Sequence, residues 1–196
     1  MNISELIDSN TGERKYLNAD ERKAFLEATT YQSPNVKFYC RMIYYTGCRL
    51  SEALEISPTR LDFQERGVIF RTLKQNKAKK DKYRFVELPE EYLEALHDVY
   101  GVKDAKTKKN DPEGLIWGFT DRTAQNYIKA VMNKAGISGL KSTSRGLRHS
   151  MGVMLAKDNV PLNVIQNLLG HSDIKNTMIY TQVISDERRR MISKVW

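Results

Sequence analysis

Ser144-Arg145-Gly146-Leu147-Arg148-His149 begins a stretch that runs through Leu168-Leu169-Gly170-His171 and reaches Tyr180 nine positions later. Its apolar residues recur at helical spacing, Leu147, Met151, Met154 and Leu155 first, then Val164, Ile165, Leu168 and Leu169. Between the two sets, Asn159 suits a left-handed helix end and Pro161 a first helical turn, and Gly170 stops the second helix. The stretch therefore reads as two short amphipathic helices with arginine, histidine and tyrosine beside their apolar faces.

Further upstream the same periodicity holds. Asn18 and Glu21 form a capping box, with Leu17 placed to staple onto the first turn of a helix that runs to about Ala28, with Phe25 and Leu26 inward. The most apolar helical stretch is 36–45, where Val36, Tyr39, Cys40, Ile43 and Tyr44 share one stripe. Gly47 breaks it, and a short helix restarts with Leu50, Ala53 and Leu54.

A change of period follows. Gly67-Val68-Ile69-Phe70 and Tyr83-Arg84-Phe85-Val86-Glu87-Leu88 read as two strands, the second ended by Pro89. Lys74-Gln75-Asn76-Lys77-Ala78-Lys79-Lys80-Asp81-Lys82 reads as the basic turn between them. A helix over 90–100 comes next, then a polar connection through Lys103, Lys108, Lys109 and Asp111-Pro112. Leu115-Ile116-Trp117 reads as a short strand or a buried turn, and Thr120 caps a helix in which Ile128, Val131, Met132 and Ala135 recur. The sum is a mainly α chain with a small antiparallel β-hairpin, an α+β domain. Residues 1–16 are expected to be a flexible leading segment and 17–183 the folded body. Residues 184–196 are expected to form an amphipathic terminal helix, packed on its own body or docked on a neighbouring subunit.

The totals narrow the class. A chain of 196 residues, 40 % hydrophobic and 29 % charged, is an ordinary globular domain able to bury a core. Its net charge of +8 suits a polyanionic partner, although a basic surface also serves solubility alone. Cys40 and Cys48 lie in an apolar stretch without metal-ligand neighbours, so they read as buried thiols rather than a disulfide framework or zinc site. No basic-then-apolar leader and no run of membrane-spanning length is present, and the expected location is the cytoplasm, in association with the nucleoid.

Arg49, in Thr46-Gly47-Cys48-Arg49-Leu50-Ser51-Glu52, adds an arginine far upstream of Arg148. Two arginines, a histidine and a tyrosine meet the needs of attack on a phosphodiester without a metal. The arginines neutralise the phosphate, the histidine handles a proton and the phenol is the nucleophile. Alone, each reads as something ordinary: a surface charge, a helix-end histidine, a core tyrosine. Together and in this order, the boxes around Arg49, the Lys74 turn, Arg145-Gly146-Leu147-Arg148-His149, Leu169-Gly170-His171 and Tyr180 closely resemble the tyrosine recombinase (phage integrase) family, from about residue 17 to the end. The short chain resembles the fimbrial phase-variation recombinases, which lack a separate N-terminal DNA-clamping domain.

The resemblance implies the integrase catalytic-domain fold and a site-specific DNA recombinase that cuts and rejoins DNA through a 3′-phosphotyrosyl link. No cofactor, metal or ATP is implied. The partner would be double-stranded DNA, with four protomers on paired sites and a monomer in free solution. Arg49 and Arg148 would hold the non-bridging oxygens of the scissile phosphate, and Tyr180 would attack phosphorus. Lys74 would protonate the leaving 5′ oxygen, with Lys77 as its competitor, while Lys79, Lys80 and Lys82 would attract the DNA backbone. His171 would bind the phosphate or take the tyrosine proton, and Glu52 would orient Arg49 or cap nearby backbone.

One position departs from the pattern: the family usually carries histidine where Arg145 stands. Arginine cannot act as a base at neutral pH, though it can stabilise developing charge. His171 then becomes the candidate base, while His149 reads as structural, pointing away from Arg148 on a helix, and His97 as a surface residue. Two alternatives stand beside the recombinase: a type IB topoisomerase-like nicking-closing enzyme, and a DNA-binding relative that no longer cleaves, for which Arg145 is the hint. The compact spacing and the Leu-Gly-His box favour the recombinase.

Overall fold

The stripe at 36–45 lies at the centre of the helical body. The computed structural model describes residues 5–72, 82–105 and 114–183, together with 192, 193 and 195. In it the stripe belongs to α2 (Pro34–Thr46), where Tyr39, Cys40, Met42 and Ile43 are fully buried. Each such large side chain contributes about 1.5–3 kcal/mol by leaving water. Proline opens α2, and Gly47 closes it at φ 61°, a left-handed conformation that glycine adopts without strain. α2 packs on α1 (Ala19–Thr30), α6 (Asp121–Lys134) and α7 (Ser144–Lys157). The capping box at α1 forms as expected: the Glu21 amide donates to Asn18 Oδ1 and the Asn18 amide to Glu21 Oε2, both at 2.8 Å.

After α3 (Leu50–Leu54), a single 3-10 turn leads into an antiparallel sheet of β1 (Leu61–Asp62), β2 (Gly67–Thr72) and β3 (Lys82–Glu87), in that order. The expected two-stranded hairpin gains β1, whose two residues are too short to show alternation in sequence. Lys82 opens β3 opposite Thr72 rather than belonging to the turn. Val68, Phe70 and Val86 face the core while Tyr83 and Phe85 stay exposed, the period of two expected of a sheet with one wet face.

α4 (Glu90–Tyr100) and the short α5 (Val102–Ala105) follow. Leu115-Ile116-Trp117 forms no strand: the Ile116 amide donates to Ile56 O at 3.0 Å, and the buried Trp117 meets Tyr39 edge-on. The chain ends its described body with α8 (Leu162–Leu169), α9 (Lys175–Met178) and a 3-10 turn over Ile179–Val183. Most of the terminal helix expected over 184–196 lies outside the described residues.

The described part of the leading segment departs from the expectation of a loose peptide. Ile7 bridges Arg14 around a turn in which the Asp8 carboxylate accepts the amides of Asn10 and Thr11. Its two apolar anchors are the reason for the order: Leu6 and Tyr16 are buried in a second core cluster with Val153, Ala156, Ile165, Leu169 and Tyr180. Ser150 Oγ also accepts the Leu17 amide at 2.7 Å. Among the described residues no helix is long and apolar enough to cross a membrane.

Candidate active site

The C-terminus of α8 organises the site. A helix end leaves carbonyls without intrahelical partners and carries partial negative charge, so it attracts cations. Three consecutive carbonyls here each receive a different arginine. Leu168 O accepts from Arg84 Nε at 3.0 Å, Leu169 O from Arg148 Nη2 at 2.6 Å and Gly170 O from Arg49 Nη2 at 3.5 Å. α7 supplies Arg148, the loop after α2 supplies Arg49 and β3 supplies Arg84.

Arg148 is buried, and its Nη1 donates to Gly47 O at 2.8 Å. Two carbonyls thus fix its guanidinium plane and leave the remaining N–H donors for a ligand. Burial first, then the neighbouring Arg49 charge, pulls its pKa down to about 10, and the group stays cationic at neutral pH. Arg49 is more open; its Nη1 donates to Glu52 Oε1 at 2.8 Å. Glu52 Oε2 also accepts the Arg49 amide at 2.8 Å, so Glu52 both orients the arginine and caps α3. Its side chain is fully buried, which pushes its pKa up, but hydrogen bonds and charge from Arg84, then from Arg49, bring it below the ordinary carboxylate value.

Tyr180 follows α9 and is buried against Gly152 of α7. A Cβ at position 152 would lie 2.3 Å from Tyr180 Cζ, so the ring's seat requires glycine. The tyrosine ring stacks on His171, with centroids 6.2 Å apart and planes at 16°. Its hydroxyl lies 3.3 Å from His149 Nδ1. Burial outweighs the pull of Arg148 and raises the phenol to about 12. His171 holds Thr177 Oγ1 at 2.8 Å through Nδ1. Burial, then Arg148 and Arg49, depresses its pKa to about 3; burial, then Arg145 and Arg148, depresses that of His149 to about 4. Both imidazoles are neutral at pH 7.

A pocket of about 360 Å³ opens between these elements, lined by Arg49, Arg145, Arg148, His149, His171 and Tyr180, with Glu5 and Asn176 among the other residues of its wall. Five of the six residues that the sequence singles out for chemistry therefore converge. The sixth, Lys74, lies outside the described residues, as do Lys77, Lys79 and Lys80. Lys82 is exposed at the start of β3 and does not line the pocket.

His149 requires a correction: it faces the pocket rather than away from it. Arg145, His149 and Gly152 rise along one face of α7, and Tyr180 lies across that face. Position 149 thus meets the tyrosine while 148 meets the α8 carbonyls. Arg84 was missed altogether; its only trace in sequence is a cation at an inward strand position between Tyr83 and Phe85. The cysteines match their reading, buried and free, with both thiols pushed up to about 12 by burial.

Taken together, two anchored guanidinium forks, neutral imidazoles and a phenol form a cationic cleft suited to a tetrahedral phosphate and a nucleophile beside it. The chain is 27 % identical over 158 residues to the tyrosine recombinase XerD of Brucella abortus, covering 78 % of this chain and 49 % of that protein. It superimposes on XerA recombinase with a TM-score of 0.72 at 27 % identity, over 91 % of this chain and 64 % of the other. On XerH site-specific recombinase, solved bound to palindromic difH substrate in a post-cleavage complex, the TM-score is 0.75 at 23 % identity, over 96 % and 56 % of the two chains. The chain spans about half the length of the curated relatives it matches. The pattern of the phage integrase family extends over residues 15–187, from the N-terminal flank of α1 past Tyr180, and the chain belongs to that family.

Proposed function

We propose that residues 17–183, together with the ordered turn before them, form the catalytic body of a site-specific DNA recombinase that works through a 3′-phosphotyrosyl intermediate. The observation that carries this reading is the meeting of Tyr180 with Arg49 and Arg148 in one pocket. Tyr180 Oη attacks phosphorus, the bond to the 5′ oxygen breaks, and the new phosphotyrosine keeps the bond energy for rejoining. Arg49 and Arg148 hold the non-bridging oxygens, and Arg145, at the exposed rim, adds positive charge as the transition state forms. His171, tethered by Thr177, positions the phosphate. Lys74 is the assigned acid for the 5′ oxygen, with Lys77 as the alternative; Lys79, Lys80 and Lys82 track the backbone.

Double-stranded DNA is the partner, in keeping with the net charge of +8 and with relatives solved on DNA. Four protomers act on two sites, the free chain is a monomer, and the work is done on the nucleoid in the cytoplasm. A duplex nicked next to the cleavage position, carrying the crossover sequence from the DNA flanking the gene, tests the reading. Wild type should form a covalent complex on denaturing gels and Tyr180→Phe none; a wild-type chain that binds this DNA without a covalent complex defeats it.

A further inference from the structure

The geometry points to His149, not His171, as the base that takes the proton from Tyr180, an inference that rests on the recombinase reading. With arginine at position 145, two imidazoles remain beside the nucleophile, and their geometry separates them. His171 stacks nearly parallel to the tyrosine ring, at 16°, and its Nδ1 is engaged by Thr177 Oγ1. The nitrogen lone pairs of a stacked imidazole lie in its own plane and aim past a ring held parallel to it. His149 is inclined at 60° to the tyrosine ring, and its Nδ1 lies 3.3 Å from the phenolic oxygen, within hydrogen-bond reach.

The reaction balances around this pair. As Tyr180 Oη bonds to phosphorus, its O–H bond breaks and the proton passes to His149 Nδ1, leaving an imidazolium with its other proton on Nε2. The P–O5′ bond breaks, and the departing oxygen takes a proton from the separate acid assigned to the lysine turn. In the return step a 5′ hydroxyl attacks, and His149 gives its proton back to the leaving phenol.

Charges around the pair decide when the transfer is favourable. Arg145 and Arg148 on α7, Lys15 ahead of α1, and Arg49 and His171 across the pocket face it, with the Glu5 carboxylate in the pocket wall and Glu52 behind Arg49. In the free chain burial first, and these cations after it, keep His149 neutral, with a pKa near 4, and so in its accepting form. A phosphodiester held by the arginines brings in negative charge that offsets them, raising the basicity of His149 when the substrate is in place.

Two measurements on the full chain test this assignment. The chain has three histidines, so ¹⁵N-histidine labelling resolves each ring. At pH 7 His149 should be neutral with its proton on Nε2, and its Nδ1 resonance should move in Tyr180→Phe; a proton found on Nδ1 overturns the proposal. In the second, covalent-complex formation on the nicked duplex is followed in single turnover from pH 6 to 8.5. His149→Gln should be about 100-fold slower at pH 7 and gain about tenfold per pH unit, as hydroxide takes over from the missing base. Wild type should vary little. A His149→Gln chain with wild-type rate and profile overturns the assignment, as does a rate loss without that pH dependence. Absence of a covalent complex from wild type overturns the recombinase reading and this inference together, whereas a failed tautomer test overturns this inference alone.

Discussion

Glu52 and Arg84, thirty-two positions apart, form a two-pronged ion pair at the back of the pocket, with Nη2 at 2.6 Å from Oε2 and Nη1 at 3.2 Å from Oε1. Arg84 also lies over the Phe70 ring and donates to Thr72 Oγ1, which joins the sheet to the arginine that faces the cleft.

Removing one partner of this pair leaves the other charge buried. Arg84→Met should therefore cost about 3–5 kcal/mol of stability in urea unfolding, whereas combining it with Glu52→Leu should cost less than the two single changes summed. The pH dependence has a definite sign. The folded pKa of Glu52 lies below its ordinary 4.5, so the pair's contribution is present above pH 4.5 and lost as pH falls through the folded value. Arg84→Met should flatten that acid-side loss.

Gly152→Ala places a methyl group where the Tyr180 ring now sits. Overpacking of this kind costs about 1–3 kcal/mol, visible as a lower melting temperature. With Tyr180 in its proposed role, its displacement should slow covalent-complex formation by about 100-fold, because an error near 1 Å in a reacting group is enough for that.

Arg148→Lys keeps the charge and loses the fork. A single ammonium cannot satisfy Gly47 O and Leu169 O in the present geometry while still presenting donors to a phosphate. Cleavage should fall by about 10²–10³-fold with DNA affinity nearly unchanged in gel-shift titration. Unaltered cleavage would remove Arg148 from the phosphate-binding role.

Lys82 is exposed at the mouth of the hairpin. If it meets a phosphate, Lys82→Gln should reduce the slope of log affinity against log salt by about one, evenly across DNA sequences.

Cys40 and Cys48 are buried and their thiols stay protonated at neutral pH. A disulfide reagent such as DTNB should leave both untouched in the native chain at pH 8 and label both in urea.

Which of these features could be read from the sequence depends on the range over which each is determined. The α1 capping box, the α2 stripe and the stop at Gly47 depend on residues within a turn or two of one another, and the boundaries fall within a few residues of their expected places. The convergence of Arg49, Arg145, Arg148, His171 and Tyr180 depends on long-range packing. It was legible only because the order of the motifs resembles a family whose members bring such residues together. Arg84 and His149 escaped for the opposite reason. Nothing local marks a strand arginine as the partner of a glutamate in α3, and the helical wheel of α7 does not reveal that Tyr180 returns across it. The short β1 and the ordered turn before α1 were likewise invisible, because their partners, Val68 for one and the α7–α8 cluster for the other, are supplied by other parts of the chain.

For anyone trimming this protein to a smaller piece, the turn before α1 sets a lower limit. Leu6 and Tyr16 share the cluster that holds Tyr180, and Glu5 stands in the cleft wall. A version starting at residue 17 would strip one side from the housing of Tyr180 and wet a ring that is now dry. Deletion boundaries chosen from helix limits alone would therefore damage the chemistry while leaving every helix intact.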